Sequence, residues 1–281
     1  MHKSANWPIH GVDFTSRPRP RKPVTIASGR VQRTSFLLEG FEEFSAWEDF
    51  ESWLRRPGPW IAGFDFPFGL PREAVIDLDL PQEWPQLVGY CRNLGREAFR
   101  AMLDRYREGR PAGNRYAHRA ADHPAGSHSP LKLVNPPVGL MFLEGAPRLL
   151  DAGVTIPGLH GGDPQRVALE AYPGFSARRM VTGSYKNDAK IKQTPARRRA
   201  RKAIVGALTT TDNPFGFPLT GSAPLMNSLV RDATGDRLDA VLCAMQAAWA
   251  WLQREENYGL PVRIDPLEGW IAMVPERVDS R

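Results

Sequence analysis

Ile9-His10-Gly11-Val12-Asp13-Phe14 is a short apolar run that carries one carboxylate. A second apolar run, Trp60-Ile61-Ala62-Gly63-Phe64-Asp65-Phe66-Pro67, also holds one aspartate. Each is too short for a helix and reads as a buried strand. A carboxylate inside such a strand is costly unless it is paired or holds a metal. A third acidic pair, Asp236 and Asp239, opens a long amphipathic segment at Gly235-Asp236-Arg237-Leu238-Asp239-Ala240. Asp13, Asp65, Asp236 and Asp239 are therefore the candidate metal ligands.

The rest of the chain places these runs in an alternating pattern. Residues 9–15 form the first strand. The stiff basic link Arg17-Pro18-Arg19-Pro20-Arg21-Lys22-Pro23 follows and cannot join a sheet interior. Residues 24–31 and 34–39 read as two antiparallel strands. Phe44, Trp47, Phe50, Trp53 and Leu54 recur at helical spacing, which predicts a helix over 42–56, stopped by Pro57. Residues 60–66 are the fourth strand, apolar on both faces as a covered strand must be. Helices are expected over 86–108 and 137–151, with a polar loop rich in Gly, His and Ala at 110–130. A fifth strand runs Val167-Ala168-Leu169-Glu170-Ala171-Tyr172-Pro173. Helices follow at 175–182, 195–208 and 236–254, the last with a buried stripe of Leu238, Val241, Leu242, Met245, Trp249 and Leu252. A short strand over Trp270 to Val274 closes the chain. No internal repeat is visible.

A right-handed crossover from strand three puts strand four beside strand one. The expected architecture is an α/β fold: a mixed five-stranded sheet flanked by helices, one domain over 1–281, with an insertion at about 71–165. Asp13 and Asp65 then stand on neighbouring strands, about 4.8 Å apart in backbone spacing, within reach of one ion or a pair.

Composition narrows the partners. The net charge of +6 favours anions, nucleic acid first among them. Two distant cysteines, Cys91 and Cys243, make neither a disulfide framework nor a zinc site and read as reduced structural thiols. No apolar stretch approaches the roughly 20 residues of a membrane span, and the N-terminus lacks a signal-peptide core. A cytoplasmic location without membrane contact is the expectation.

Several short motifs in order resemble one family. They are Gly11-Val12-Asp13-Phe14, Phe64-Asp65-Phe66-Pro67-Phe68-Gly69-Leu70-Pro71, Glu170-Ala171-Tyr172-Pro173, Tyr185-Lys186, Asp236-x-x-Asp239-Ala240 and Glu268-Gly269-Trp270-Ile271. The chain resembles domain-of-unknown-function family 429, described as predicted nucleases of the RNase H-like superfamily. The resemblance spans most of the chain and is weakest over 71–165. It implies an RNase H-like fold with Asp13 as the central-strand catalytic carboxylate and Asp65 as the acid of strand four. Asp236 and Asp239 are similar to the paired aspartates on the last helix of Holliday-junction resolvase-like members. An obvious catalytic glutamate on the first helix is missing, since Glu48 and Glu51 read as solvent-facing.

The implied chemistry is phosphodiester hydrolysis with two divalent ions about 3.5–4 Å apart. Carboxylate oxygens suit Mg²⁺ or Mn²⁺. Asp13 would bridge the ions, Asp65 and Asp239 would each ligate, and Asp236 or Glu170 would complete the set. Lys186 follows the Glu170 strand closely enough to contact a scissile phosphate. Structural readings stand beside these. Asp236 and Asp239 also fit a helix cap, Asp13 and Asp65 a strand end, and Glu170 an arginine pair.

Lys186 to Lys202 carries eight basic side chains and one acidic, a net of +7 that exceeds the whole chain's charge. Lys190, Lys192, Arg197, Arg198 and Arg201, with Arg17, Arg19 and Arg21, are the expected contacts to DNA or RNA phosphates. A solvated helix face is the alternative. His118, His123 and His128 are spaced by five and read as loop histidines or, alternatively, as a proton donor on a lid. Two other functions are alternatives to a nuclease. A phosphotransferase of the sugar-kinase and actin type needs a Gly-rich phosphate loop, and Phe14-Thr15-Ser16-Arg17-Pro18 is too bulky and stiff for one. A non-catalytic nucleic-acid-binding protein would have no use for buried carboxylates.

Overall fold

The computed structural model describes residues 7–276. Its strands are β1 (Ile9–Asp13), β2 (Val24–Gln32), β3 (Ser35–Phe44), β4 (Trp60–Phe64), β5 (Val154–Thr155), β6 (Asp163–Glu170) and β7 (Leu219–Gly221). Its α-helices are α1 (Trp47–Leu54), α2 (Arg72–Asp77), α3 (Trp84–Glu108), α4 (Asp122–Ala125), α5 (Val138–Ala152), α6 (Pro173–Ala177), α7 (Pro195–Leu208), α8 (Ala223–Arg231) and α9 (Asp236–Leu252).

The strands form one mixed sheet in the order β5-β6-β4-β1-β2-β3-β7. β2 lies antiparallel to both β1 and β3, while β4 pairs parallel with β1 and β6 parallel with β4. The expected placement of the fourth strand beside the first is present. The sheet has seven strands rather than five, because β5 and β7 add to its two edges. With two and three residues, they are too short to leave a period-2 signal in the sequence.

Other boundaries differ for identifiable reasons. The helix expected over 42–56 begins only at Trp47, because β3 continues to Phe44 by pairing with Val24 to Ile26 of β2. Phe44 shares the helical spacing by coincidence and belongs to the strand. α3 breaks at Gly95, whose φ of 72° and ψ of 167° lie outside the helical region that the apolar period suggested. The fifth strand ends at Glu170, since Pro173 opens α6. The strand expected over 270–274 is reduced to one bridge between Ile271 and Glu170.

Strand alternation divides the core into two layers. Val12, Ile26, Ala62, Phe64 and Ala168 face α1, α3 and α5. Ile9, Ala27, Ile61, Val167 and Leu169 face α7, α8 and α9. α9 is the central piece of the second layer. Every residue from Leu238 to Ala248 is buried, so it lacks the single stripe expected of a surface helix. It packs on β1, β2 and β4, with α6 and α8 against it.

Segment 110–130, expected as a polar loop, is fixed from inside. Arg119 and Asp122 are 2% and 0% exposed, and Arg119 spends all five N–H donors. They go to Asp122, Glu170 and the Glu268 carbonyl. Burying a guanidinium is tolerable only with such complete pairing. Among the described residues no helix is long and apolar enough to cross a membrane. Cys91 and Cys243 are both buried and free, and burial pushes the Cys91 thiol up to about 12.

Candidate metal centre

Close packing of α9 on the sheet creates the site. On β1, Ile9, Gly11 and Asp13 alternate onto the α9 face, and on β4 Ile61 and Gly63 lead to Asp65 in the same way. A β-carbon on Gly11 would stand 2.0 Å from the Ala244 nitrogen and 2.1 Å from the Ala240 carbonyl oxygen. One on Gly63 would stand 2.5 Å from the Cys243 carbonyl oxygen. Glycine at both positions lets the helix backbone lie directly on the strands. The first turn of α9 then reaches the carboxyl ends of β1 and β4, the edge where open α/β sheets commonly bind ligands. The Asp65 amide donates to the Val12 carbonyl at 3.0 Å, which locks the two strand ends together.

Asp13, Asp65 and Asp239 converge there, each offering a carboxylate oxygen within 4.8 Å of the others. Asp13 is 4% and Asp239 0% exposed. Oδ2 of Asp13 is buried and has no hydrogen-bond partner. Tyr185 donates its hydroxyl to Oδ1 of Asp239 at 2.5 Å, and the Lys186 ammonium donates to Oδ2 of the same carboxylate. Asp236 stands beside the trio rather than in it. Its Oδ1 accepts from Lys22 Nζ at 2.6 Å.

The electrostatics follow from crowding acids away from water. Burial pushes the Asp13 carboxyl well above the ordinary range, Lys22 opposes the shift, and Asp236 reinforces it. Asp65 is raised to about 7, chiefly by burial, with Lys186 opposing and Asp239 adding to it. Burial also raises Asp236 against the pull of Lys22. Burial works against the Lys186 ammonium, but Asp239 and Tyr185 outweigh it and hold its pKa well above the ordinary value. Hard oxygen donors with one free buried lone-pair site fit Mg²⁺ or Mn²⁺.

The N-cap reading fails for Asp236, while both acids do lie in the first turn of α9, where the helix dipole favours them. Gly235, with φ of 83°, occupies the cap position of α9. Asp232 takes over the capping by accepting from the Arg237 amide at 2.9 Å. Glycine at 235 has a second consequence, since a β-carbon there would stand 2.6 Å from Cβ of Lys186. That close approach brings the Tyr185-Lys186 pair against the first turn of α9.

Other expected site residues are distributed more widely. Glu170 points to the opposite sheet face, with Phe64 and Ala168, and is held by Arg119 at 2.6 and 2.7 Å and by the Phe68 amide at 2.9 Å. The arginine-pair reading describes it, and it stands outside the group of three aspartates. Arg201, expected on phosphate, is 3% exposed and donates to the carbonyls of Tyr185 at 2.6 Å and Val230 at 3.0 Å. It fixes the Tyr185-Lys186 backbone instead. Arg17, Arg19, Arg21, Lys190, Lys192 and Arg198 are exposed, and Arg197 is half-buried. Arg198, Arg199, Lys202 and Arg231 line a groove of about 670 Å³ between α7 and α8. His123 and His128 are exposed and His118 is half-buried. Glu48 is exposed, while Glu51 pairs with Arg148 at 3.1 Å.

Sequence reasoning missed the direct contacts of Lys22 and Tyr185 with the acids, and Arg119 altogether. One signal for the site was available. Both Gly11-x-Asp13 and Gly63-x-Asp65 put a glycine and an aspartate on the same strand face.

A family model described as protein of unknown function (DUF429) matches residues 11–262. No curated protein and no solved structure matches the chain.

Proposed function

The chain belongs to the DUF429 family of proteins of unknown function, and we propose that it is a metal-dependent hydrolase of phosphodiester bonds in nucleic acid. The observation that carries this reading is the convergence of three aspartates, each with a carboxylate oxygen within 4.8 Å of the others, where Asp13 also has a buried oxygen without a partner. An unpaired buried carboxylate oxygen costs about 1–3 kcal/mol or more, a cost that a bound cation would offset. Asp13, Asp65 and Asp239 would hold Mg²⁺ or Mn²⁺. The ion would lower the pKa of a water and stabilise the charge that develops on phosphate oxygens.

The protein's own groups have separable tasks in this reading. Tyr185 donates to Asp239 and fixes its orientation. Arg201 fixes Tyr185 in turn through its carbonyl. Lys186 and Lys22 bring positive charge to the carboxylate cluster, where a phosphate would otherwise be repelled. Asp236 holds Lys22 in place. The exposed cations of the β1–β2 link and of α7 attract phosphates without regard to sequence.

The test is hydrolysis of mixed single- and double-stranded DNA and RNA with Mg²⁺ or Mn²⁺, comparing wild type with Asp13→Asn. Cleavage that needs the metal and disappears in the variant supports the reading. Absence of both cleavage and metal binding in the folded wild type removes it.

A further inference from the structure

A cavity of about 330 Å³ opens directly beside the metal centre and shares two of its residues, Asp65 and Lys186. Its walls come from the end of β4, the segment after β6, the 119–128 segment and the start of α5, with Lys186 and Ile271 added from two further pieces of chain. Phe66, Tyr172, Val138, Met141 and Ile271 give it an apolar, partly aromatic lining. The wall is preformed. Arg119 ties the 119–128 segment to Glu170 through two donors and to the Glu268 carbonyl through a third, and the Glu268 carboxylate accepts from the Ala120 and Arg72 amides at 2.7 and 2.8 Å. Phe66 is fixed from behind, because a β-carbon on Gly145 would stand 2.5 Å from its ring. Ser127 and His128 add hydrogen-bonding groups to its wall.

One end of the cavity is charged and suits phosphate, and its body suits a flat apolar group. A nucleotide joins those two chemistries in one molecule, and bases stack on aromatic side chains whatever their identity. The volume lies near the lower limit of small-ligand pockets, about 300–1,000 Å³. It takes one nucleotide unit, and a stacked duplex cannot enter it. Resting on the hydrolase reading above, we propose that this cavity binds the sugar and base of a single unstacked nucleotide whose phosphate lies at the aspartate centre. The substrate class is then a chain end or an extruded nucleotide, rather than the middle of a continuous duplex.

The experiment titrates the full chain with each of the four common nucleoside 5′-monophosphates and with inorganic phosphate, by calorimetry in Mg²⁺. Val138→Trp and Met141→Trp, both at half-buried lining positions, are titrated alongside as cavity-filled variants. At least one nucleotide is expected to bind tenfold or more tightly than phosphate. Filling the cavity should bring that nucleotide within about threefold of phosphate, while the Mn²⁺ affinity stays at the wild-type value and reports an intact fold. Equal affinity for nucleotides and phosphate in the wild type overturns the proposal, and so does nucleotide affinity that survives in both filled variants. Oligonucleotide cleavage measured in parallel separates the two readings. Cleavage with no effect of filling on nucleotide affinity rejects the cavity and keeps the hydrolase. Selective nucleotide binding that filling abolishes, without cleavage of any nucleic acid, does the reverse.

Discussion

Replacing Asp13 by asparagine keeps the shape of a buried carboxylate and removes its charge. Without metal, the Asp13 carboxylate is burdened twice: its Oδ2 has no partner, and Asp236 and Asp239 stand nearby. Relieving an unsatisfied buried acceptor returns about 1–3 kcal/mol. At roughly 2.1 cal/mol/K of unfolding entropy per residue, a chain this long shifts its Tm by about 2–5 °C for that change. Asp13→Asn should therefore melt higher than wild type in chelator at pH 8, above the value of about 7 for Asp65, where repulsion among the acids is greatest. Saturating metal reverses the order. A ligand at 100 times its Kd stabilises the folded state by about 2.7 kcal/mol, or about 5 °C here, and only the wild type should gain it. Differential scanning calorimetry with EDTA, Mg²⁺ and Mn²⁺ on both proteins reads these shifts. A variant that melts below wild type in EDTA, with no metal-dependent gain in either protein, would refute the argument. Asp13 would then be a structural acid satisfied by some other contact.

Three further outcomes follow from the packing and charges. Gly11→Ala forces a methyl into the backbone of α9 and should cost about 3 kcal/mol or more, at or above the upper end of overpacking; its metal affinity should fall as Asp239 moves, and a near-wild-type Tm with normal metal binding contradicts this. Arg119→Ala strands Glu170 and Asp122 as buried charges and should cost about 3–5 kcal/mol, whereas Arg119→Ala combined with Glu170→Gln should recover part of it in denaturant unfolding; additive losses contradict the pairing. Burial lowers His10 to about 4, so the unfolded chain takes up a proton first as the pH falls. Its contribution is fully present above about 6.5 and is lost between there and about 4, at most about 3 kcal/mol. His10→Gln should flatten that part of the stability–pH profile, and parallel profiles for the two proteins contradict the assignment.

Much of the sheet was legible because its strands leave local signals. β1 and β4 are apolar runs bounded by turn residues, and the crossover rule places them side by side without further information. Asp13 and Asp65 were visible because a carboxylate is conspicuous in such a run. The errors lie where long-range pairing overrides spacing. Glu42 to Phe44 read as helix but pair with β2, and β5 and β7 are strands only because a neighbour offers an edge. Arg201 and Asp236 show the same limit at the site. Their charge is plain in the sequence, but which partner neutralises each is not. Arg201 turns inward to two carbonyls, and Lys22, 214 residues away, claims Asp236.

By itself, the sequence determined which residues carry charge, which apolar runs are buried strands, and that an aspartate stands at the end of β1 and directly after β4. Side-chain chemistry and periodicity are local properties, and they suffice for that. Tertiary structure alone decided that Asp239 joins Asp13 and Asp65, while Asp236 and Glu170 are held by Lys22 and Arg119. The deciding contact is the approach of α9 to Gly11 and Gly63, two absent β-carbons that admit a helix backbone to the sheet. The register of that helix on the strands sets which carboxylate of its first turn reaches the other two.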